Sequence, residues 1–308
     1  MAGNSKKYLL IDALRKELGE EYNVDTVKVE KNNGTKEGIT VRRKGEHVGP
    51  VFYPDLTNKK KTFKVLAREI LESLPSLMEG VKEAPLLSEY NDSIKERLFM
   101  KAVNYGWNKE ALEEKPHLRK VDLAGVAAID ISDFFGGEEG TASTDITNGI
   151  IHIWNVDADT VLKRAVANIE NKSHICGVME KMAEMMDVPK EVLPPTPLMV
   201  LMRKDSEKWC AGLIFSEKVL KDIEEKVGSY YILPSSVHEL LILPEKEAPV
   251  LPGELVRMVK DINEGEVLPE ERLSDNVYYY SDGELHLIAE PEEEPGEEHE
   301  EELREEGA

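Results

Sequence analysis

Two dipeptides, Asn33-Gly34 and Asp282-Gly283, constrain this chain more tightly than any other feature of it. Each lies between short runs in which apolar residues recur at every second position. Val27 and Val29 precede the first, and Ile39 and Val41 follow it; Val277 to Tyr280 and Leu285 to Ile288 flank the second. Asn-Gly and Asp-Gly supply the positive φ that a tight hairpin turn demands, and period-two alternation gives each strand one apolar face. Both ends of the chain are therefore predicted to carry antiparallel hairpins, and such a face is stable only when another layer covers it. Near the N-terminus that layer is legible. Residues 5–19 put Leu10, Leu14 and Leu18 on one helical stripe, and Phe63, Leu66, Ala67, Ile70, Leu71 and Leu74 repeat at helical spacing up to Pro75, which is predicted to stop the helix. With Val51-Phe52-Tyr53 as a third strand, the unit reads α-β-β-β-α with both helices on one sheet face.

Further along, residues 92–115 are predicted helical with a break near Gly106, and Val121 to Ile131 reads as a strand buried on both faces. Asp157 is placed to cap a helix carrying Val161, Leu162, Ala165, Val166 and Ile169. Pro189, Pro194, Pro195 and Pro197 punctuate a connector. Strands follow at Leu198 to Met202, Tyr230 to Leu233 and Leu240 to Leu243. Between them Ser216 caps a helix that ends at Gly228, and Pro252 opens one with Leu255, Met258, Val259 and Ile262 on its apolar face. The predicted class is α+β, with two small mixed α/β units, mostly antiparallel sheets and an acidic tail expected to be disordered. The predicted segments are 1–85, a middle part 86–195, a C-terminal unit 196–289 and the tail 290–308.

Charge narrows the function. The net charge is −22, and the last nineteen residues hold eleven glutamates against one arginine, so the rest of the chain is still acidic by about twelve charges. Nucleic acid would be repelled by such a surface, and the short basic run Lys59-Lys60-Lys61 near Arg42-Arg43-Lys44 reads as a solvated surface. A basic protein partner suits it better. The tail is too polar to order itself. Two cysteines, Cys176 and Cys210, without a C-x-x-C spacing exclude a cysteine-only zinc site and a disulfide scaffold; reduced, buried thiols are expected. The first twenty residues lack an unbroken apolar run and no window reaches membrane-span length, so neither a signal peptide nor a membrane association is expected, and the predicted location is cytoplasmic.

Three stretches carry a resemblance: KNNGTKEGITVRRKGEHVGPVFY from Lys31, KAVNYGWNKEALEEKPHLRKVDLAGV from Lys101 and YYILPSSVHELLILPE from Tyr230. They resemble a bacterial family of unknown function, number 5688, over nearly the whole chain except the acidic tail. The resemblance implies an intracellular protein and no assigned activity. The C-terminal layout, with an apolar strand after a Pro-His element, is also similar to family 1444, another of unknown function.

The densest polar constellation is Ser235-Ser236-Val237-His238-Glu239, between two predicted strands. A serine and a histidine could support nucleophilic catalysis. In an extended segment, however, Ser236 and His238 point one way and Glu239 the other, so the acid of a triad would have to come from elsewhere, and no G-x-S-x-G elbow is present. The competing expectation is a turn in which the serines bond nearby main chain. His238-Glu239-Leu240-Leu241-Ile242 lacks the second histidine of a zinc-protease helix. The other histidines share no short spacing, phosphate-binding glycine motifs are absent, and Asp130, Asp133, Glu138 and Glu139 read as a solvated acidic loop before a cation site. Asn104, Asn108, His117 and Asn168 are candidates to line a groove or to cap helices. No catalytic residue, metal or cofactor is assigned. The candidate binding residues are Ser235, Ser236, His238, Glu239, Asn104 and His117. The reading this favours is a cytoplasmic, non-enzymatic binding or protein-interaction module; the alternative is a hydrolase with its pocket around Ser235, Ser236 and His238. An acidic mimic of nucleic acid fits less well, because the densest carboxylates fall in the tail.

Overall fold

The computed structural model describes residues 2–46, 49–83, 88–135, 142–234, 236–248 and 250–288. Ser235, Glu138, Glu139 and the tail 290–308 lie outside them, and so does the expectation of a disordered terminus. The fold is α+β, and all strand pairs among the described residues are antiparallel.

The N-terminal part follows its pattern. Helix α1 (Ala2–Leu18) leads into strands β1 (Tyr22–Lys31) and β2 (Gly34–Arg43), which pair from Tyr22 with Arg43 to Lys31 with Gly34; β3 (Val51–Phe52) adds to β2, and α2 (Phe63–Glu83) returns over the sheet. Leu10, Leu14, Val24, Ile39, Val41, Leu66, Ile70, Leu74 and Met78 close one core between the two helices and one face of the sheet. Each fully buried leucine there stabilises by about 2 kcal/mol relative to exposure. Pro75 does not end α2, which continues through it to Glu83. The stripe persists beyond the proline, since Met78 is buried one turn below Leu74. Beside the proline, Ser73 Oγ donates to the carbonyls of Glu69 and Ile70, and Ser76 Oγ to that of Ser73.

The predicted helix over 92–115 is corrected at its centre. A short helix α3 (Asp92–Arg97), capped by Asn91, gives way to strand β4 (Leu98–Asn104), and helix α4 (Lys109–Glu113) follows. The first five residues of β4 are all buried, and a strand covered on both faces loses the alternation that distinguishes it from a helix. β5 (His117–Lys120) and β6 (Leu123–Asp130) follow, then β7 (Ser143–Asp145), α5 (Asn148–Trp154) and α6 (Ala158–Glu170), capped as expected by Asp157. β6 is buried along its whole length; it pairs with β4 on one side and with β5 and β7 on the other.

A six-stranded sheet completes the fold in the order β13-β12-β10-β11-β9-β8. Its strands are β8 (Ser173–Gly177), β9 (Met199–Arg203), β10 (Tyr230–Leu233), β11 (Leu240–Pro244), β12 (Val277–Ser281) and β13 (Glu284–Ile288). Helices α7 (Val178–Met186), α8 (Glu217–Val227) and α9 (Pro252–Gly265) lie between them in sequence. One contiguous core runs from Ile94 and β4 through α6 and α8 to Tyr280. Helix α9 corrects another expectation. Its buried residues are Leu255, Val256, Val259 and Asn263, whereas Met258 and Ile262 are 52% and 47% exposed. The inward arc is rotated because the amide of Asn263 donates to the Ser274 carbonyl and to Asp275 Oδ1.

Candidate functional site

A cavity of about 970 Å³ separates the helix-free face of the N-terminal sheet from the sheet built on β4 and β6. Val29, Val51 and Tyr53 line it on one side, and Val103, Ala111 and Val126 on the other. The two walls are held together at their margins. At the β1–β2 turn, Asn108 Oδ1 accepts from the Asn33 N–H (2.8 Å), and the side-chain amides of Asn32 and Asn33 donate to carbonyls between Pro269 and Arg272. Near the end of α2, Gly80 approaches the backbone of Phe134 so closely that a Cβ there would lie 2.4 Å from its carbonyl oxygen.

The chemistry of the cavity is set by a lysine in an otherwise apolar strand. Lys101 lies on the same face of β4 as Phe99 and Val103, and its side chain is only 10% exposed. Burial of an ammonium group is costly unless it is paired. Asp145, on β7, supplies the partner: Oδ1 accepts from Lys101 Nζ at 2.8 Å and Oδ2 from Lys115 Nζ at 2.9 Å. Burial pushes the Asp145 carboxyl upward, but the attraction of Lys101 and then Lys115 outweighs it and brings the pKa down to about 2. Two ammonium groups on one carboxylate leave one positive charge in excess. Lys31, its Nζ 4.9 Å from the Tyr53 ring centroid, adds to it, so the cavity is locally cationic within an acidic chain.

Trp209 borders the same space, with its ring centroid 4.3 Å from Lys101 Nζ. Its backbone is left-handed (φ 59°, ψ 25°), which costs a bulky residue on the order of 1–2 kcal/mol. The following turns, Cys210–Phe215, hold it there. Gly212 lies so close to β4 that a Cβ would stand 1.9 Å from the Met100 carbonyl oxygen. Two hydrogen bonds fix the same segment to the Ser236–His238 turn: Cys210 N–H to the His238 carbonyl (3.2 Å) and Ala211 N–H to the Val237 carbonyl (3.3 Å).

That turn is where sequence concentrated its attention. Ser236 Oγ accepts from the His238 backbone N–H at 3.1 Å, as a local turn would have it. His238 Nδ1 accepts from the Trp209 N–H at 3.3 Å, which leaves the ring proton on Nε2, 3.6 Å from Glu271 Oε1. Burial, and then the charge of Lys208, hold the imidazole pKa below its ordinary 6.5; Glu271 acts in the opposite sense. Glu239 is half-buried just before β11. Ser236 and His238 thus share one turn behind Trp209.

Asn104 and His117 are placed elsewhere. Asn104 Oδ1 accepts from the Trp107 N–H (3.1 Å), and its carbonyl accepts from Asn108 Nδ2 (2.8 Å). His117 Nδ1 donates to the Lys115 carbonyl at 2.8 Å. Of the remaining groove candidates, Asn108 borders the cavity, whereas Asn168 donates to the carbonyls of Lys95 and Leu98 and so ties α6 to the α3–β4 junction. Asp133 pairs with Arg97 through both oxygens (2.8 and 2.9 Å), and Asp130 Oδ1 accepts from the Ser132 N–H. Among the described residues no group of three or more potential metal ligands converges. Both cysteines are free, with Cys210 buried and Cys176 half-buried. No helix among the described residues is long and apolar enough to cross a membrane.

Lys101, Lys115, Asp145 and Trp209 were not singled out by sequence. One signal was available: a lysine interrupts the apolar run Leu98 to Val103, and a charge in a buried strand needs a nearby partner.

Fold and cavity together define an α+β protein with a cationic cleft between two sheets. The chain matches a family of unknown function (DUF5688) over residues 7–282 and belongs to that family. No curated protein and no solved structure matches it.

Proposed function

We propose that this protein is a non-enzymatic binding module whose ligand lies in the cleft between the N-terminal sheet and the β4–β6 sheet. The observation that carries the reading is the Lys101–Asp145–Lys115 cluster, recessed in a space of about 970 Å³ and bordered by an aromatic ring. That volume falls in the range of small-molecule sites, and apolar residues alternate with polar ones along its lining. A buried charge cluster is also a costly way to stabilise a fold, since apolar residues of similar size would do as well. The cluster therefore fits recognition better than structure.

The hydrolase reading draws less support. The Ser236 hydroxyl is engaged with main chain and the inner imidazole nitrogen with the Trp209 amide, so neither atom is set to activate the other. Glu271 stands near the outer nitrogen, and that observation keeps a direct assay worthwhile.

The test screens organic acids, amines and alcohols by thermal shift on the full chain, alongside Ala111→Trp, which fills the cleft. Compounds that raise Tm by about 2 °C or more in the native chain, and not in the variant, support the reading. Turnover of p-nitrophenyl acetate that disappears in both Ser236→Ala and His238→Ala, with no cleft-dependent shift from any compound, overturns it in favour of a hydrolase.

A further inference from the structure

The charge and shape of the cleft narrow its ligand. Two ammonium groups face one carboxylate, so the recess keeps one positive charge uncompensated. An ammonium group has three N–H donors, and Asp145 takes one from each lysine, leaving donor capacity for another oxyanion. The single charge left over by this pair suits one carboxylate, and a cation would meet Lys101 and Lys115 directly. Above the recess the walls turn apolar: Val29, Val51 and Tyr53 oppose Val103 and Val126, with the indole of Trp209 beside them. Lys31 adds a positive field at the same opening, which offsets the repulsion an anion meets from the rest of the chain.

We propose that the cleft binds an organic monocarboxylate with an apolar body, whose carboxylate docks on Lys101 and Lys115 while its body lies between Tyr53, Val103 and Trp209. This inference rests on the binding reading and names the ligand class of the same site. Head and body contribute separately: the apolar walls supply most of the affinity, and the lysines discriminate the head group.

The probes are octanoate, 1-octanol, octylamine, octyl phosphate and acetate, titrated calorimetrically into the full chain at pH 7. The expected result is octanoate binding at least tenfold more tightly than octanol or octylamine, and no measurable binding of acetate. Lys115→Gln is expected to weaken octanoate at least tenfold and leave octanol unchanged. Lys101→Met is expected to do the same, with Lys115→Gln as the safeguard should the more buried site fail to fold. Equal binding of octanol and octanoate, or an unaltered octanoate affinity in Lys115→Gln, overturns the proposal. Tighter binding of octyl phosphate overturns it in favour of a phosphate monoester. If octanoate fails while amines or alcohols give shifts that Ala111→Trp abolishes, the binding reading stands and the monocarboxylate assignment falls.

Discussion

Replacing Asp145 by asparagine removes the charge that holds Lys101 and Lys115 together while keeping the shape of the side chain. The carboxyl titrates at about 2 in the fold against an ordinary 3.8. At about 1.4 kcal/mol per pKa unit, that difference corresponds to about 2 kcal/mol of stability at neutral pH. The asparagine stands in for the neutral carboxyl facing the same two cations, so the substitution is expected to cost about this much. With an unfolding entropy of about 2 cal/mol/K per residue over a chain of this length, 2 kcal/mol corresponds to a loss of about 3 °C in Tm. The pH dependence is the sharper test. The folded pKa lies below the unfolded one, so the stabilisation is complete above about pH 4 and is lost as pH falls toward 2; about half of it remains at pH 3. The assay is the Tm of both chains from pH 7 to pH 3, by circular dichroism. A gap of 3 °C or more at pH 7 that narrows toward pH 3 is expected. A gap of under about 1 °C at pH 7, or one that does not change with pH, would show that the lysines do not depend on this carboxylate and would refute the reasoning.

Other consequences concern the surroundings of the cleft. His238, its pKa lowered by burial and by Lys208, costs stability when it is protonated; the native chain should lose stability as pH falls below 6.5 and through the lowered folded value, and His238→Gln should flatten that limb between pH 8 and 5 in the same thermal assay. Gly212→Ala forces a Cβ against the Met100 carbonyl, and urea unfolding should show a loss of about 3 kcal/mol or more; a change below about 1 kcal/mol would mean that the Cys210–Phe215 turn is not packed on β4. On α9, Asn263→Ala should cost about 1–3 kcal/mol because the Ser274 carbonyl loses its donor, whereas Met258→Glu on the exposed side should stay within about 0.5 kcal/mol. The reverse order would restore the arc predicted from spacing.

Local chemistry alone was enough to determine the two hairpins, the helical stripes of α1 and α2, the Asp157 and Ser216 caps and the fully buried strand β6, because each is specified by residues within a few positions of one another. The same local reading failed where distant chain intervened. A helix was expected across Leu98 to Asn104 because a strand enclosed on both faces has no alternation to show, and only the layers packed on it reveal that enclosure. Pro75 failed to stop α2 because Met78 still had a core to enter, and the arc of α9 turned because Asn263 found partners eleven and twelve residues away. The cleft belongs wholly to the tertiary structure. Asp145 meets lysines 44 and 30 residues back along the chain, and Trp209 comes to Lys101 because Gly212 admits a close approach to β4. Sequence located a polar turn at Ser236 and His238 correctly, but whether its atoms were available depended on the backbone amide of Trp209, on a segment 29 residues away. Hydrogen-bonding capacity can be read from composition, whereas its consumption is decided by which segments folding brings into contact.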